Sequence, residues 1–263
     1  MGYWYDDPRP TRPNRAHFRP SPIFLALVAL FVIGGAMAWM DFGAAQFDVI
    51  LFVIAGWLVS LCLHEYGHAI TAYRSGDQGV ADRGYLTLNP LKYSHVLLSI
   101  VMPLIFLIIG GFGLPGGAVW VDHSYIRGRW KDTLISLAGP ALNVGFALIA
   151  IAPFALGVDT STHQTFWAAL AFLAFLQLTA SVLNLAPIPG VDGGNALRPW
   201  LSPDWRRGFD AVAPWGMLVF LLLLFNPTIN SVFFNLVFGI GDALGLPEYL
   251  VGDGQRLFMF WRY

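Results

Sequence analysis

The run ILFVIAGWLVSLCLHEYGHAITA, residues 50–72, decides how the rest of the chain is read. It is long and apolar enough to cross a bilayer as a helix, yet His64, Glu65 and His68 all lie towards its end. Residues four apart on a helix sit one turn above each other, so both imidazoles face one way. Glu65 lies about 100° round from His64. This is the H-E-x-x-H spacing, in which two histidines bind zinc and the glutamate acts as general base. A lone histidine in an apolar helix is ordinarily a satisfied core residue. Three ionisable groups together in hydrocarbon are another matter, because their desolvation costs several kcal/mol and marks them as functional. One zinc ion per chain is the expected cofactor.

Composition sets the class. Of 263 residues 56 % are hydrophobic and 12 % charged, against about 25 % charged in a soluble domain. The mean hydropathy is +0.60. The expected fold is an all-α polytopic membrane protein, with the lipid bilayer as its first partner. A net charge of −1 and the lack of a long basic run exclude nucleic acid as a partner. Cys62 is the single cysteine, so no intrachain disulfide can form, and it reads as a small apolar residue on the zinc helix.

Outward from the zinc helix, residues 1–21 carry Arg9, Arg12, Arg15 and Arg19 with Pro8, Pro10, Pro13 and Pro20. Prolines at that density argue against a helix, and a disordered tail is expected. Residues 22–41 form a first apolar span. By the positive-inside rule the arginine-bearing tail is cytoplasmic, so the zinc helix returns inward and its histidines lie towards the cytoplasmic end. Residues 79–90 read as a short turn-and-strand element near the site. The apolar run 96–113 is broken by Pro103, Gly110, Gly111 and Gly113, and Arg127, Arg129 and Lys131 follow. A crossing there would put that basic cluster outside, so a re-entrant or peripheral segment is expected. Further crossings are expected at about 133–156, 166–186, 211–225 and 229–246. The total is about six spans in one transmembrane domain, 22–246, with a catalytic core of about 46–200 and a tail at 247–263.

A catalytic zinc site takes three protein ligands and leaves one position open. By chemistry alone the third could be His95, Asp122, His123 or Asp192, with Asp77 and Asp82 close behind. Topology favours Asp192, at the cytoplasmic end of a helix able to pack beside the zinc helix. Asp192-Gly193-Gly194 is equally a strong turn signal, so the residues themselves leave both readings open.

Taken together, the motifs resemble those of the site-2 proteases, zinc metalloproteases that cut substrates inside the membrane. His64-Glu-Tyr-Gly-His68 matches the first motif of that family. Asn184-Leu-Ala-Pro-Ile-Pro-Gly-Val-Asp192-Gly193 matches the second, Gly139-Pro-Ala-Leu-Asn143 a helix pattern, and Thr87-Leu-Asn-Pro90 a pattern after the zinc helix. They follow the family's order between residues 64 and 193. The resemblance implies His64, His68 and Asp192 as zinc ligands, Glu65 as catalytic base and Asn184 as a polar group near the scissile carbonyl. Asn143 is read as architectural, capping or bridging helices. The chain departs from the family at Tyr93-Ser-His95, where relatives often carry His-x-Asp-Pro, so no role attaches to His95. The expected compact form has no PDZ or CBS module. Its expected partner is a single-span transmembrane substrate, by resemblance a membrane-bound regulator such as an anti-sigma factor. The competing reading is a catalytically inactive scaffold that keeps the fold. The intact Glu65 argues against it, since a scaffold has no need of a base beside the metal.

Overall fold

The computed structural model describes residues 15–93, 100–110 and 119–262. Its first helix, α1 (Pro22–Met40), starts where Ser21 Oγ accepts the Phe24 N–H at 3.1 Å and Pro22 fills the first turn. Both features suit a helix start, since the first N–H groups have no partner within the helix. The zinc helix follows as α2 (Ala45–Ser75), 31 residues long. By helical rise it is about 47 Å long, well over the roughly 30 Å of a hydrocarbon core. It stops at Gly76, whose φ of +134° suits glycine.

Short helical pieces come next: α3 (Gly79–Asp82), 3₁₀ turns at Tyr85–Thr87 and Pro90–Lys92, and α4 (Met102–Gly110). The strand expected over 79–90 is not there, and the local chemistry says why. Asp77 Oδ1 accepts the Gly79 N–H at 3.0 Å and starts a helical turn. Gly84 and Leu88 then take positive φ values of 76° and 57°, which breaks any extended run. Asn89 Oδ1 accepts the Leu91 N–H and starts the last turn.

The remaining long helices are α5 (Arg129–Ala155), α6 (Gln164–Leu185), α8 (Pro203–Leu224) and α9 (Pro227–Ala243), with the six-residue α7 (Asp192–Leu197) before α8. Among the described residues four helices, α1, α2, α5 and α6, are long and apolar enough to cross a membrane, against the six spans expected. The other two expected crossings fall on α8, whose first turns carry Asp204, Arg206, Arg207 and Asp210, and on the 17-residue α9. The fold is thus helical and membrane-embedded. The segment expected as a C-terminal tail contains α10 (Glu248–Phe258). It docks on α6 so closely that a Cβ at Gly254 would stand 2.1 Å from the Ala168 carbonyl oxygen. Within the expected N-terminal tail, residues 15–18 form a 3₁₀ turn whose Phe18 ring meets Tyr73 edge-on at 5.5 Å. His95 lies outside the described residues, as does part of the expected re-entrant segment.

Helix α6 is the central post. From Trp167 to Ser181 every residue but Leu170 is buried, as expected of a helix apolar all round. Contacts at the helix ends fix their relative direction. Lys131 Nζ donates to the Ser75 carbonyl at 3.1 Å, which puts the start of α5 beside the end of α2. At the other end Trp39 stacks on His163 at 3.8 Å, joining the end of α1 to the start of α6. The chain between α2 and α5 therefore returns to the end it left. The nine residues of α4, about 14 Å by helical rise, are too few to cross.

Candidate metal centre

Helix α2 delivers His64 and His68 to the face where α5 crosses it. A Cβ at Gly67 would lie 2.7 Å from the Ala138 carbonyl oxygen, so the small residue before the second histidine is what lets the two backbones touch. Along α5 a set of groups then meets the histidines. Asn143 Oδ1 lies 3.1 Å from His64 Nδ1, and the Ile135 carbonyl oxygen lies 2.7 Å from His68 Nδ1. The carbonyl can only accept, so His68 Nδ1 carries the proton. The same tautomer at His64 has Nδ1 donating to the amide oxygen. Both Nε2 atoms are thereby left with free lone pairs pointing inward, an arrangement typical of metal-bound histidines. Pro140 lies in this part of α5. A proline inside a helix removes the ladder bond to the carbonyl four residues back, here that of Ser136, next to the Ile135 carbonyl that turns to the imidazole.

Asp192 arrives from the other side, at the start of α7. The turn before it is tight: a Cβ at Gly194 would stand 1.9 Å from the Ile188 carbonyl oxygen. Thr133 fastens α7 to α5, donating to the Ala196 carbonyl at 2.8 Å and accepting from Trp200 Nε1 at 2.9 Å. Asp192 Oδ2 then lies 3.2 Å from His64 Nε2 and 3.4 Å from His68 Nε2, and the two Nε2 atoms are 3.0 Å apart. Donors bound tetrahedrally at 2.0–2.2 Å stand about 3.3 Å from each other, so this triangle has the size of one face of a zinc tetrahedron. Space for an ion is kept by Gly139, where a Cβ would lie 2.2 Å from His68 Nε2 and 2.7 Å from His64 Nε2. The donor set and its cradle fit zinc.

Both histidines and Glu65 are buried, whereas the Asp192 side chain keeps 19 % of its surface, so the centre is open on the Asp192 side. Glu65 Oε1 is 3.9 Å from His64 Nε2, and its Oε2 accepts the backbone N–H of Val119 at 3.0 Å.

Among the described residues His64, His68 and Asp192 form the metal-sized group. Three of the other candidates are employed elsewhere. Asp122 accepts from Ser124, His123 pairs with Asp132 at 2.8 Å, and Asp77 pairs with Arg83 at 2.9 Å. Asn184 is buried at the end of α6 and makes no hydrogen bond to the triad or Glu65 among the described residues. The three residues expected as ligands lie within metal-binding distance of one another, and most of the groups that support them were not expected from the sequence. Asn143 bridges helices as expected, but it does so onto a candidate ligand. Ile135 and Val119 act through backbone groups, for which residue identity carries no signal.

Comparison with known proteins bears on the same chemistry. The chain is 47 % identical over 254 residues to Rip2 of Mycolicibacterium smegmatis, named as a zinc metalloprotease, covering 95 % of this chain and 97 % of that one. It is 50 % identical over 253 residues to Rip2 of Mycobacterium tuberculosis H37Rv, covering 94 % and 96 %. YwhC of Bacillus subtilis, also named as a zinc metalloprotease, is 28 % identical over 190 residues, covering 67 % and 81 %. No protein-family model and no solved structure matches the chain.

Proposed function

The chain belongs to the site-2 protease family of zinc metalloproteases, and from that premise we propose that it hydrolyses peptide bonds within or near the transmembrane segments of membrane-protein substrates. The observation that carries the reading is the pair of Nε2 atoms, freed by hydrogen bonds at Nδ1 and closed into a triangle by Asp192. His64, His68 and Asp192 are the proposed ligands. When bound there, zinc supplies a Lewis acid and an acidified water.

The chain's own residues do the rest. Glu65 takes the proton of the attacking water through the oxygen that faces the centre and returns it to the leaving amine. Asn143 and the Ile135 carbonyl keep both imidazoles in one tautomer throughout. We assign Asn184 the role of donating to the oxyanion or holding the substrate strand; its position at the end of α6, in the segment that leads to Asp192, supports that assignment. Water reaches the centre past Asp192. The arginines at positions 15 and 19 before α1 support a cytoplasmic N-terminus. The contact of α5 with the end of α2 is in keeping with a centre towards the cytoplasmic side. A single-span protein is the proposed substrate, and 22–246 the proposed protease domain.

The test is purified protein, its zinc stoichiometry, and a panel of single-span substrates cut by wild type, Glu65→Gln and Asp192→Ala. One zinc per wild-type chain and no cleavage by Glu65→Gln are expected. Cleavage surviving in Glu65→Gln would remove the chemistry, and zinc held equally by Asp192→Ala would move the third ligand elsewhere.

A further inference from the structure

Glu65 is held by a segment outside its own helix. The Val119 N–H that bonds to Oε2 begins a stretch outside helix and strand, Val119 to Asp122. Val119 and Val121 pack into the cluster that contains Ala69, Ala72, Val80 and Tyr85. Trp120, between them, is 55 % exposed, the alternation of an extended chain. The far end of the stretch is clamped by two side chains just after α2. Asp77 Oδ2 accepts the Asp122 N–H at 2.8 Å and Arg83 Nη2 at 2.9 Å. The same Arg83 Nη2 donates to the Trp120 carbonyl at 3.2 Å, and its guanidinium lies 4.7 Å from the Trp120 ring centre. Asp77 is itself fixed, with a side chain 1 % exposed and Oδ1 taken by the Gly79 N–H.

From this geometry we infer that Asp77 and Arg83 are positioning residues for the proposed base: they lock the Val119–Asp122 stretch so that its first N–H ties down one carboxylate oxygen of Glu65 and turns the other to the metal centre. The inference rests on the reading of Glu65 as the base. A carboxylate can present either oxygen and several rotamers. A charge-assisted bond from a fixed backbone N–H selects among them, and it does so only while the backbone behind it stays still. Two anchors within three residues of Val119 supply that stillness. A buried ion pair is a weak source of stability in itself, but here both partners also spend a bond on the backbone of the stretch. Loss of the clamp lets the carboxylate drift, and a drift of about 1 Å in a reacting group costs up to about a hundredfold in rate.

The experiment uses the full zinc-loaded chain in detergent and a single-span test substrate that wild type cuts. Asp77→Asn and Arg83→Met are expected to lower kcat by about tenfold to a hundredfold. KM should stay within about twofold and zinc at one per chain. Arg83→Lys, which keeps a donor for Asp77 Oδ2, should recover much of the loss. Normal kcat in both Asp77→Asn and Arg83→Met would overturn the inference. So would a rise in kcat, which would make the stretch a restraint on activity. Loss of zinc or of thermal stability in both variants would make the pair structural, and it too would overturn the inference. Should Asp77→Asn alone fail to fold, the half-exposed Arg83 carries the test through its Met and Lys variants. Glu65→Gln is run alongside: if it cuts like wild type, the role of Glu65 has failed, a result separate from anything the clamp variants show.

Discussion

Gly139 presents a hydrogen to the metal centre where any other residue would present a carbon. A Cβ there would fall 2.2 Å from His68 Nε2, inside the volume an ion needs. Gly139→Ala is therefore expected to abolish zinc binding while leaving helix content by circular dichroism unchanged. One zinc per chain in this variant would show that the centre lies elsewhere. Asn143 acts one bond further out. With its amide oxygen gone, His64 can take the other tautomer and its ring can swing. Asn143→Ala should weaken zinc affinity by about tenfold to a hundredfold, measured by competition with a coloured chelator. Asn143→Asp, which retains an acceptor, should recover most of it. Equal affinity in all three would reduce the 3.1 Å contact at His64 to packing.

At the scale of elements, α5 is what the metal centre is built on, and this was the least legible part. The zinc helix could be read because its signal is local: an apolar run and a four-residue spacing on one helix. Asp192 could be read in part, since its motif is short but its meaning depends on which helices lie side by side. The supports on α5 could be read only in part: Asn143 was legible as a helix bridge, but Thr133, Ile135 and Gly139 matter through what faces them. The expected strand over 79–90 failed for a different reason. Tyr85, Leu86 and Thr87 suit a strand, but the positive φ at Gly84 and Leu88 and the two side-chain caps outvote them. The apolar face of α10, with Leu250, Val251, Gly254 and Phe258 buried, was present in the sequence at helical spacing. It is short and was overshadowed by the longer apolar runs. The α5–α7 junction yields its own expectation. Thr133→Val removes the bonds to Ala196 and Trp200 and leaves buried groups unpaired, at a cost of about 1–3 kcal/mol. Zinc retention should then fall between wild type and Asp192→Ala. Retention at the wild-type level would mean that α7 is held by other contacts.

At the scale of the whole molecule, the contacts at the helix ends give a direction that can be checked in a membrane. Cys62 is fully buried, so a Cys62→Ser background is a quiet one for single-cysteine labelling. Asp159→Cys, beside the start of α6, should react with an impermeant thiol reagent from outside the cell. Asp204→Cys, at the start of α8 beyond the metal centre, should react only once the inner face is opened. The opposite pattern would invert the topology. The centre also joins parts of the chain that are made far apart in time. His64 and His68 come from α2, and Asp192 from the start of α7, with α5 and α6 between. A ribosome that has finished α2 has produced only two of the three proposed donors, with neither Asn143 nor Ile135 yet made to orient them. Chains of this kind assemble as they emerge, and the intermediate that holds Glu65 beside two imidazoles is therefore not yet able to cut its neighbours. A chain stopped at residue 186 is expected to insert and retain no zinc after dialysis, whereas a chain extended through α7 should retain it. On the proposed ligand set, the last donor is made only after the helices that surround the centre, α2, α5 and α6, have been made.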